Sequence, residues 1–290
     1  MAAVVALLTA VSATENGGSV YPAGVETVMT GMQPLAGQTV IYEYTCFYAA
    51  NEFADARGKS LFPEFKLRVF ANAIKITHNW GFHFLGGTVE SQVGVPFLYE
   101  QLHVGAGKFT KFGLDNVNMI PFSVTYAKGQ LHWYYEADMF SPGGGYSPSS
   151  VLNVGQHNLA VAPVAGFTYL PKQGKAEIGS RFSYIFNGYD KDTHYHSGNE
   201  FLWEYNVDYE ISKKVAGGFN GYFYRQTTSD TLQGAAFQGG FRGRDLALGP
   251  QLRFPLGKRG GFAVKYYRDT LTQNTTHGNA FWFQLSIRIG

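Results

Sequence analysis

Charged side chains are scarce in this sequence of 290 residues. Asp, Glu, Lys and Arg make up 15% of the chain, against about 25% in an average soluble domain, while 45% of the residues are hydrophobic. A water-soluble β-sandwich or barrel needs more charge on its outer surface than this. The formal net charge of +2 includes no run of like charges, so the composition also argues against a nucleic-acid-binding protein.

Cysteine is almost absent, since Cys46 is the only one. A single cysteine excludes an intramolecular disulfide, and no Cys or His cluster accompanies it to form a structural zinc site. We therefore expect Cys46 to be a packed strand residue.

Long hydrophobic runs are missing too. No stretch after the first residues approaches the roughly 18 apolar residues of a membrane-spanning helix. An apolar chain without such helices can satisfy its backbone in lipid only as a closed β-barrel. Aromatic residues form 16% of the chain and glycine contributes 36 residues, a composition that suits strands facing lipid and crowded turns.

The N-terminal end divides into two segments. Residues 1–13 resemble the apolar core of a signal peptide with a small-residue cleavage site near Ala13, although no Lys or Arg precedes it. We expect a signal peptide remnant there, and hence export. Residues 14–38 contain Pro22 and Pro34 and show no periodicity, so we expect a periplasmic segment or a partial plug of the lumen. Residues 39–290 are the predicted barrel.

A period of two residues is clearest in the last predicted strand. Phe281, Phe283 and Leu285 alternate with Trp282 and Gln284, and the alternation continues to residue 289. The same pattern runs from 201 to 211, where aromatic and aliphatic residues alternate with a set that includes three carboxylates. Such alternation places an apolar face toward lipid and a polar face toward a wet lumen. Weaker versions occur at 131–139, 177–184, 248–254 and 262–266, and a phase slip within 65–77 suggests bulges.

Turn signals arrange these strands into hairpins. Tight turns are predicted at 78–81, 127–130, 171–174, 212–214 and 257–260. Long connections are predicted at 54–63, 97–113, 142–156, 188–199, 229–243 and 272–278. Five turns and six loops join twelve strands, with short turns in the periplasm and long loops outside. A propeller would instead show four short strands and a repeated signature in each interval of about 45 residues.

Inward-facing charges carry the prediction of a transport function. Opposed charges across a narrow lumen would filter solutes by size and charge, whereas in the alternative they pair with one another and close the lumen. The predicted lumen-lining residues are Glu136, Asp138, Glu177, Arg181, Glu204, Asp208, Glu210, Arg253, Lys265 and Arg288. A path for an aromatic solute is predicted along Tyr134, Tyr222, Tyr224 and Tyr267, although tyrosines near strand ends also form interfacial girdles.

Two chemical alternatives compete with transport. His194 and His196 would share one face of a strand and could bind a metal, but their segment has the composition of a solvated outer loop. A surface hydrolase would need a histidine near a nucleophile, such as His132 or His157 with one of the loop serines, yet no nucleophile motif surrounds those serines. The candidate serines are Ser147, Ser149 and Ser150. We predict no catalytic residue, no metal site and no cofactor.

Several short segments give the chain a resemblance to a known family. The segments are 17–26 (Gly-Gly-Ser-Val-Tyr-Pro-Ala-Gly-Val-Glu), 86–87, 132–133, 141–143 with Tyr146, 165–171, 197–201, Arg244, 247–251 and 281–282. In order and spacing they resemble the outer-membrane β-barrel proteins named for the meta-pathway of phenol degradation. The resemblance implies a barrel that admits hydrophobic or aromatic compounds. Asp115 stands where the family tends to have glycine, and the chain ends Ile289-Gly290 and not on an aromatic residue.

Together these observations predict an all-β protein, a transmembrane antiparallel β-barrel of about twelve strands in the outer membrane of a Gram-negative cell. The predicted function is passive uptake of small, hydrophobic or aromatic molecules. A structural or adhesive barrel with a closed lumen is the first alternative, and an outer-membrane hydrolase the second. Expected partners are outer-membrane lipid and lipopolysaccharide, a small-molecule solute, and the barrel-assembly machinery through the C-terminal strand, but no nucleic acid.

Overall fold

A computed structural model describes residues 18–257 and 259–289, in which twelve strands form the barrel. The predicted signal peptide remnant lies outside the described residues. The barrel strands are β1 (Thr39–Phe53), β2 (Lys66–Phe84), β3 (Gly87–Val104), β5 (Asn118–Lys128), β6 (Leu131–Phe140), β7 (Ala160–Tyr169), β8 (Ala176–Asn187), β10 (Glu200–Ser212), β11 (Val215–Gln226), β14 (Arg244–Pro255), β15 (Gly260–Gln273) and β16 (Thr276–Ile289). Four further strands lie in the connections: β4 (Gly107–Leu114), β9 (Tyr195–His196), β12 (Thr231–Leu232) and β13 (Ala235–Ala236).

The sheet closes on itself without a free edge. Each barrel strand pairs antiparallel with its neighbour along the chain, and β1 pairs with β16 from Thr39 opposite Ile289 to Phe53 opposite Thr276. Two short 3-10 segments, Lys172–Gly174 and Phe237–Gly240, interrupt the connections. No helical segment among the described residues is long and apolar enough to cross a membrane. The prediction of an all-β, twelve-stranded antiparallel barrel is confirmed.

Exposure alternates along the strands with the predicted period. In β16, Phe281 is 48% exposed, whereas Trp282 and Gln284 are 5% and 8% exposed. In β10, Trp203 and Val207 face outward, and the intervening Glu204 is fully buried inside the barrel. Cys46 is buried within β1, as predicted for a packed strand residue. The outer wall is therefore apolar, and the polar side chains are gathered in the interior.

The two ends of the barrel differ in the length of their connections. Tight turns at four of the predicted places join strands at one end, and the predicted connections at 54–63, 142–156, 188–199 and 229–243 lie at the other. In outer-membrane barrels the short turns are periplasmic and the longer loops extracellular. The end with the long connections is accordingly called the outer end.

The first predicted turn, at 78–81, is wrong. Strand β2 continues through this stretch, and the turn falls at Leu85 and Gly86. The Asn79 side chain accepts a hydrogen bond from the amide of Gly81, and the register with β3 shifts between Asn79 and His83. The turn-like sequence therefore produces a bulge inside a long strand.

Two predicted loops are also wrong. Most of 97–113 is a β-hairpin, because β4 pairs with the outer part of β3 from Phe97 opposite Leu114 to Val104 opposite Gly107. The connection at 272–278 is a tight turn at residues 274–275 between β15 and β16. Glycine and polar residues in these stretches interrupt the sequence pattern, but they do not interrupt backbone pairing.

The bulges predicted within 65–77 are absent. The register of β1 with β2 is continuous from Ala50 opposite Leu67 to Thr39 opposite His78. The pattern looked out of phase because Asn72 faces outward between the inward Ala71 and Ala73. The Asn72 amide donates to the hydroxyl of Thr45 over 2.9 Å, so this outward polar group has a partner on the next strand.

A substitution in the middle of β16 tests the assignment of its faces. Phe283 faces outward beside Phe47, with ring centroids 6.2 Å apart. We expect Phe283→Arg to lower the free energy of unfolding in lipid bilayers by about 2–4 kcal/mol, because it places a charge in hydrocarbon. Ser286→Arg, on the inward face of the same strand, is expected to cost less than half as much. Equal losses in urea titrations of the two variants would contradict the assignment.

Candidate functional site

The N-terminal segment 18–36 lies inside the barrel. The hydroxyl of Tyr21 donates to Glu204 over 3.0 Å, and the amide of Gly24 donates to the other oxygen of the same carboxylate over 2.8 Å. The amide of Gly31 donates to the Thr168 hydroxyl on β7, and Asn79 on β2 donates to the carbonyl of Pro34. Because β2, β7 and β10 lie in different parts of the barrel wall, these contacts place the segment across the lumen.

Two glycines let the segment lie this close to the walls. Gly24 has a φ of +87°, and a Cβ there would lie 3.0 Å from the ring of Tyr267. A Cβ on Gly31 would lie 2.5 Å from the amide nitrogen of Thr168. Any side chain at either position would push the segment away from the wall.

A group of charged side chains surrounds Arg181 near the middle of the lumen. The guanidinium lies 2.9 Å from Asp138, 3.3 Å from Glu204 and 3.9 Å from Glu136. It also lies 3.6 Å from Glu26 of the N-terminal segment and 4.4 Å from the ring centroid of Tyr21. A second cation joins the group through an ion pair with Glu26. We call the set the Arg181 cluster: Glu26, Lys75, Glu136, Asp138, Arg181 and Glu204.

A second set of charges lies closer to the periplasmic end. Arg253 on β14 lies 3.1 Å from Asp208 on β10 and 3.4 Å from Glu177 on β8. Arg288 is exposed, and Glu210, half-buried near the end of β10, belongs to no ion pair among the described residues.

Lys265 is fully buried and has a different kind of partner. Its ammonium donates to the carbonyls of Gly24 and Val25 over 2.8 and 2.7 Å. Most of the predicted lumen charges therefore contact either one another or the N-terminal segment. The filtering of solutes by size and charge through these residues remains a prediction.

Two cavities flank the N-terminal segment. Residues 18–25 form part of the wall of a cavity of about 300 Å³ toward the outer end, which we call the outer cavity. Residues 28–34 border a cavity of about 270 Å³ toward the periplasm, the inner cavity. Arginines 253, 259 and 288 border the inner cavity. The segment thus separates a largely apolar space from one rich in arginine.

The outer cavity has walls of aromatic and small apolar side chains. Its wall residues beyond the N-terminal segment include Tyr44, Cys46, Tyr48, Val69, Ala71, Ala73, Pro96, Leu98, Tyr222, Tyr224, Ala280 and Trp282. Two carboxylates, Asp115 and Asp245, also reach it. The hydroxyl of Tyr222 donates to one oxygen of Asp245 over 2.9 Å, so the wall provides a partner for part of that carboxylate.

The four predicted tyrosines fall into two pairs. Tyr222 and Tyr224 border the outer cavity. Tyr134 and Tyr267 contact the N-terminal segment, since Tyr134 bonds the hydroxyl of Thr30 over 2.9 Å and Tyr267 donates to the carbonyl of Gly24 over 3.0 Å. The β1 residues that line the outer cavity, Tyr44, Cys46 and Tyr48, were not among the predicted site residues, although they alternate with period two. Tyr42, in the same alternation, borders the inner cavity.

The histidines and serines considered for hydrolysis do not form a site. His132 lies at the periplasmic end of β6, whereas Ser147 bonds Ser149 and Ser150 donates to the carbonyl of Leu152 in an outer connection. Among the described residues, none of these serines forms a hydrogen bond with a histidine.

The outer histidines connect loops. His196 bonds the carbonyl of Asn187, and His157 lies 3.2 Å from Asp192 and 3.6 Å from Asp190. Burial raises the pKa of Asp190, but hydrogen bonds from the Tyr146 hydroxyl and from loop amides outweigh burial and leave that pKa below its ordinary value. These contacts join the connection at 141–159 to the one at 188–199.

Comparison with solved structures places this architecture among outer-membrane channels. The COG4313 outer membrane channel from Pseudomonas putida F1 is 14% identical, covers 93% of this chain and 100% of its own, and gives a TM-score of 0.77. The NanC porin is 10% identical, with 86% of this chain and 100% of its own covered and a TM-score of 0.46. The KdgM porin gives 8% identity, 87% and 98% coverage, and a TM-score of 0.43. At these identities the similarity shows the fold alone.

No curated protein matches the chain. The closed twelve-stranded barrel is thus a fold that this chain shares with a solved outer-membrane channel. The family described as "Putative MetA-pathway of phenol degradation" matches residues 50–285, and the chain belongs to this family.

Proposed function

We propose that the protein is a passive outer-membrane channel for small hydrophobic or aromatic molecules. The observation that carries the proposal is the outer cavity, an apolar space inside a barrel whose other interior surfaces are strongly charged. Its volume of about 300 Å³ lies at the lower end of the range for small-molecule sites. Apolar walls with a few polar groups at fixed positions are the usual composition of such sites.

The cavity walls suit a small aromatic molecule in particular. Tyr44, Tyr48 and Trp282 contribute aromatic rings, while Ala71 and Ala73 on the neighbouring strand β2 leave space beside them. Offset or edge-to-face contact between aromatic rings contributes about 0.5–1.5 kcal/mol beyond buried area. The tyrosine hydroxyls and Asp115 offer hydrogen bonds to a solute that carries a hydroxyl group.

Movement from the outer to the inner cavity requires displacement of the N-terminal segment. Val20 and Val25 of the segment are buried in the barrel interior. The polar contacts of the segment include the ion pair of Glu26 with Lys75 and the bonds of Gly24 and Tyr21 to Glu204. Water can replace each of these contacts when the segment moves, so we propose that the segment acts as a reversible partial plug. No energy source is needed for this movement.

The alternative is a structural barrel whose lumen stays closed. The Arg181 cluster favours it, because a fully buried arginine with four carboxylates around it resembles an interior filled by its own charges. The two readings differ in whether ions and solutes pass. We propose no enzymatic activity.

Conductance in planar bilayers tests the proposal. We expect the refolded full chain to give discrete current steps that phenol or toluene blocks at concentrations where simple sugars have no effect. An insulating barrel under all these conditions would favour the closed, structural reading. Block by sugars but not by aromatic molecules would support a channel and reject the proposed solute class.

Deletion of residues 18–36 tests the role of the segment as a plug. We expect the single-channel conductance to rise several-fold, because the segment separates the two cavities. Glu26→Gln keeps the segment but removes its ion pairs with Lys75 and Arg181, and we expect it to open more often without a larger conductance. Unchanged conductance in a deletion variant that still shows heat-modifiable migration on a gel would exclude the plug.

Filling the outer cavity tests the solute path. Ala71 lines the cavity, whereas Ile74 on the same strand faces outward and is 49% exposed. We expect Ala71→Phe to raise the half-blocking concentration of phenol about ten-fold or more, because the ring occupies the solute's space. Ile74→Phe is the matched control and should leave the block unchanged. Equal block in both variants would place the path elsewhere.

The ionisation of Asp115 predicts a pH dependence of solute block. Burial raises the pKa of Asp115 to about 7, although the amide of Asn116 donates to its carboxylate. The group is therefore neutral below this pH and anionic above it, and an apolar solute should bind less well beside the anion. We expect the half-blocking concentration of phenol to rise two-fold or more from pH 6 to pH 8. Asp115→Asn should remove the part of this change that is centred near pH 7.

A further inference from the structure

Positive charge gathers on the outward face of β2, β3 and β4 near the outer end of the barrel. Lys66 on β2 is opposite His103 on β3, and His103 is in turn opposite Lys108 on β4. Arg68 lies in the next outward row, opposite Gln101. We call Lys66, Arg68, His103 and Lys108 the outer basic patch.

The cations of this patch are not neutralised by the protein. Among the described residues no ion pair includes Lys66, Arg68 or Lys108, and all three side chains are exposed. The guanidinium of Arg68 donates to the carbonyls of Ala50 and Leu67 and to the side chain of Asn51, each over 2.8 Å. These bonds fix its position and leave its charge available to an external anion.

An apolar groove begins in the row directly below the patch. Phe70 is opposite Tyr99, one outward position further from the outer end than the pair of Arg68 and Gln101. The groove has a volume of about 330 Å³, and Arg68 and Asn279 lie at its edge. Its outward lining residues are Phe47, Ala49, Phe70, Tyr99 and Phe281.

The order of these features along the barrel axis matches a phosphorylated lipid of the outer leaflet. An acyl chain would lie in the groove within the hydrocarbon, while phosphates would meet the cations above it. Each Lys or Arg side chain near a membrane surface strengthens the attraction for anionic lipid headgroups. Phospholipids of the inner leaflet would meet the opposite end of the barrel.

We propose that the outer basic patch and the groove beneath it form a binding site for lipid A, the phosphorylated and acylated part of lipopolysaccharide. The site uses the outside of the wall and is independent of the proposed solute path through the lumen. A failure of one proposal therefore leaves the other unaffected.

The chain provides a matched control on another part of the wall. Arg225 on β11 is opposite Arg244 on β14, and both face outward near the outer end, where Arg242, which directly precedes β14, is also exposed. Arg244 lies 5.8 Å from the ring centroid of Phe223. Three cations can therefore be removed near the outer end but away from the groove. The change in net charge is the same as on removal of Lys66, Arg68 and Lys108.

The test is a titration of diphosphorylated lipid A into the refolded full chain in detergent, with bound lipid counted by native mass spectrometry. We expect the variant Lys66→Gln, Arg68→Gln, Lys108→Gln to bind at least ten-fold more weakly than the parent chain. The variant Arg225→Gln, Arg242→Gln, Arg244→Gln should change affinity less than three-fold. Equal weakening in both variants would show a general charge effect and overturn the proposal.

A second variant separates the groove from the charges. Ala49→Trp fills the groove while the outer basic patch stays intact, and we expect it to weaken lipid A binding about five-fold or more. Phosphatidylglycerol serves as the competing anionic lipid and should displace lipid A only at large excess. Displacement at equal concentrations would show a nonspecific anionic-lipid surface. Heat-modifiable migration on a gel verifies folding. If a triple variant fails this check, Arg68→Gln replaces the patch variant and Arg244→Gln replaces the control.

Discussion

A closed ladder of backbone hydrogen bonds is the constraint on which the remaining features depend. In hydrocarbon an unpaired amide or carbonyl costs several kcal/mol, so the first and last strands must pair. The pairing of β1 with β16 over their full lengths achieves this. Once the ladder is closed, side chains can only alternate between lipid and lumen. The scarcity of charge in the sequence and the concentration of charge in the interior are two consequences of the same closure.

The interior must then satisfy its own charges, and the N-terminal segment participates directly. Arg181 and Lys75 face the wall carboxylates Glu136, Asp138 and Glu204, and Glu26 of the segment lies between the two cations. The segment therefore completes a charge arrangement that the wall begins. Burying an ion pair is compensated only by close geometry and further hydrogen bonds, and the bonds from Tyr21 and Gly24 to Glu204 supply some of these.

The sequence predicted the strands well where both faces carry a uniform pattern, as in β10 and β16. It wrongly indicated bulges in β2, because Asn72 is a polar residue that faces outward. Its side chain bonds Thr45 on the neighbouring strand, and the two residues are 27 positions apart in the sequence. The outer cavity could not be predicted for a similar reason. Its walls combine β1, β2, β11 and β16, and period two gives the face of each residue but not the height at which residues of different strands meet.

The position of the segment between an apolar cavity and an arginine-rich one decides how a neutral solute could pass. An apolar molecule gains by entering the outer cavity and loses that gain beside Arg253 and Arg288, so the inner cavity cannot hold it strongly. The segment is held by the ion pairs of Glu26 and by hydrogen bonds to charged groups such as Glu204 and Lys265, each bond with a net contribution of about 1.5–3 kcal/mol. The proposed plug would open when these contacts break one after another, and it would close again when they re-form. In the proposed channel, net movement toward the periplasm would follow the solute gradient and need no coupled energy source, for as long as the solute is consumed there.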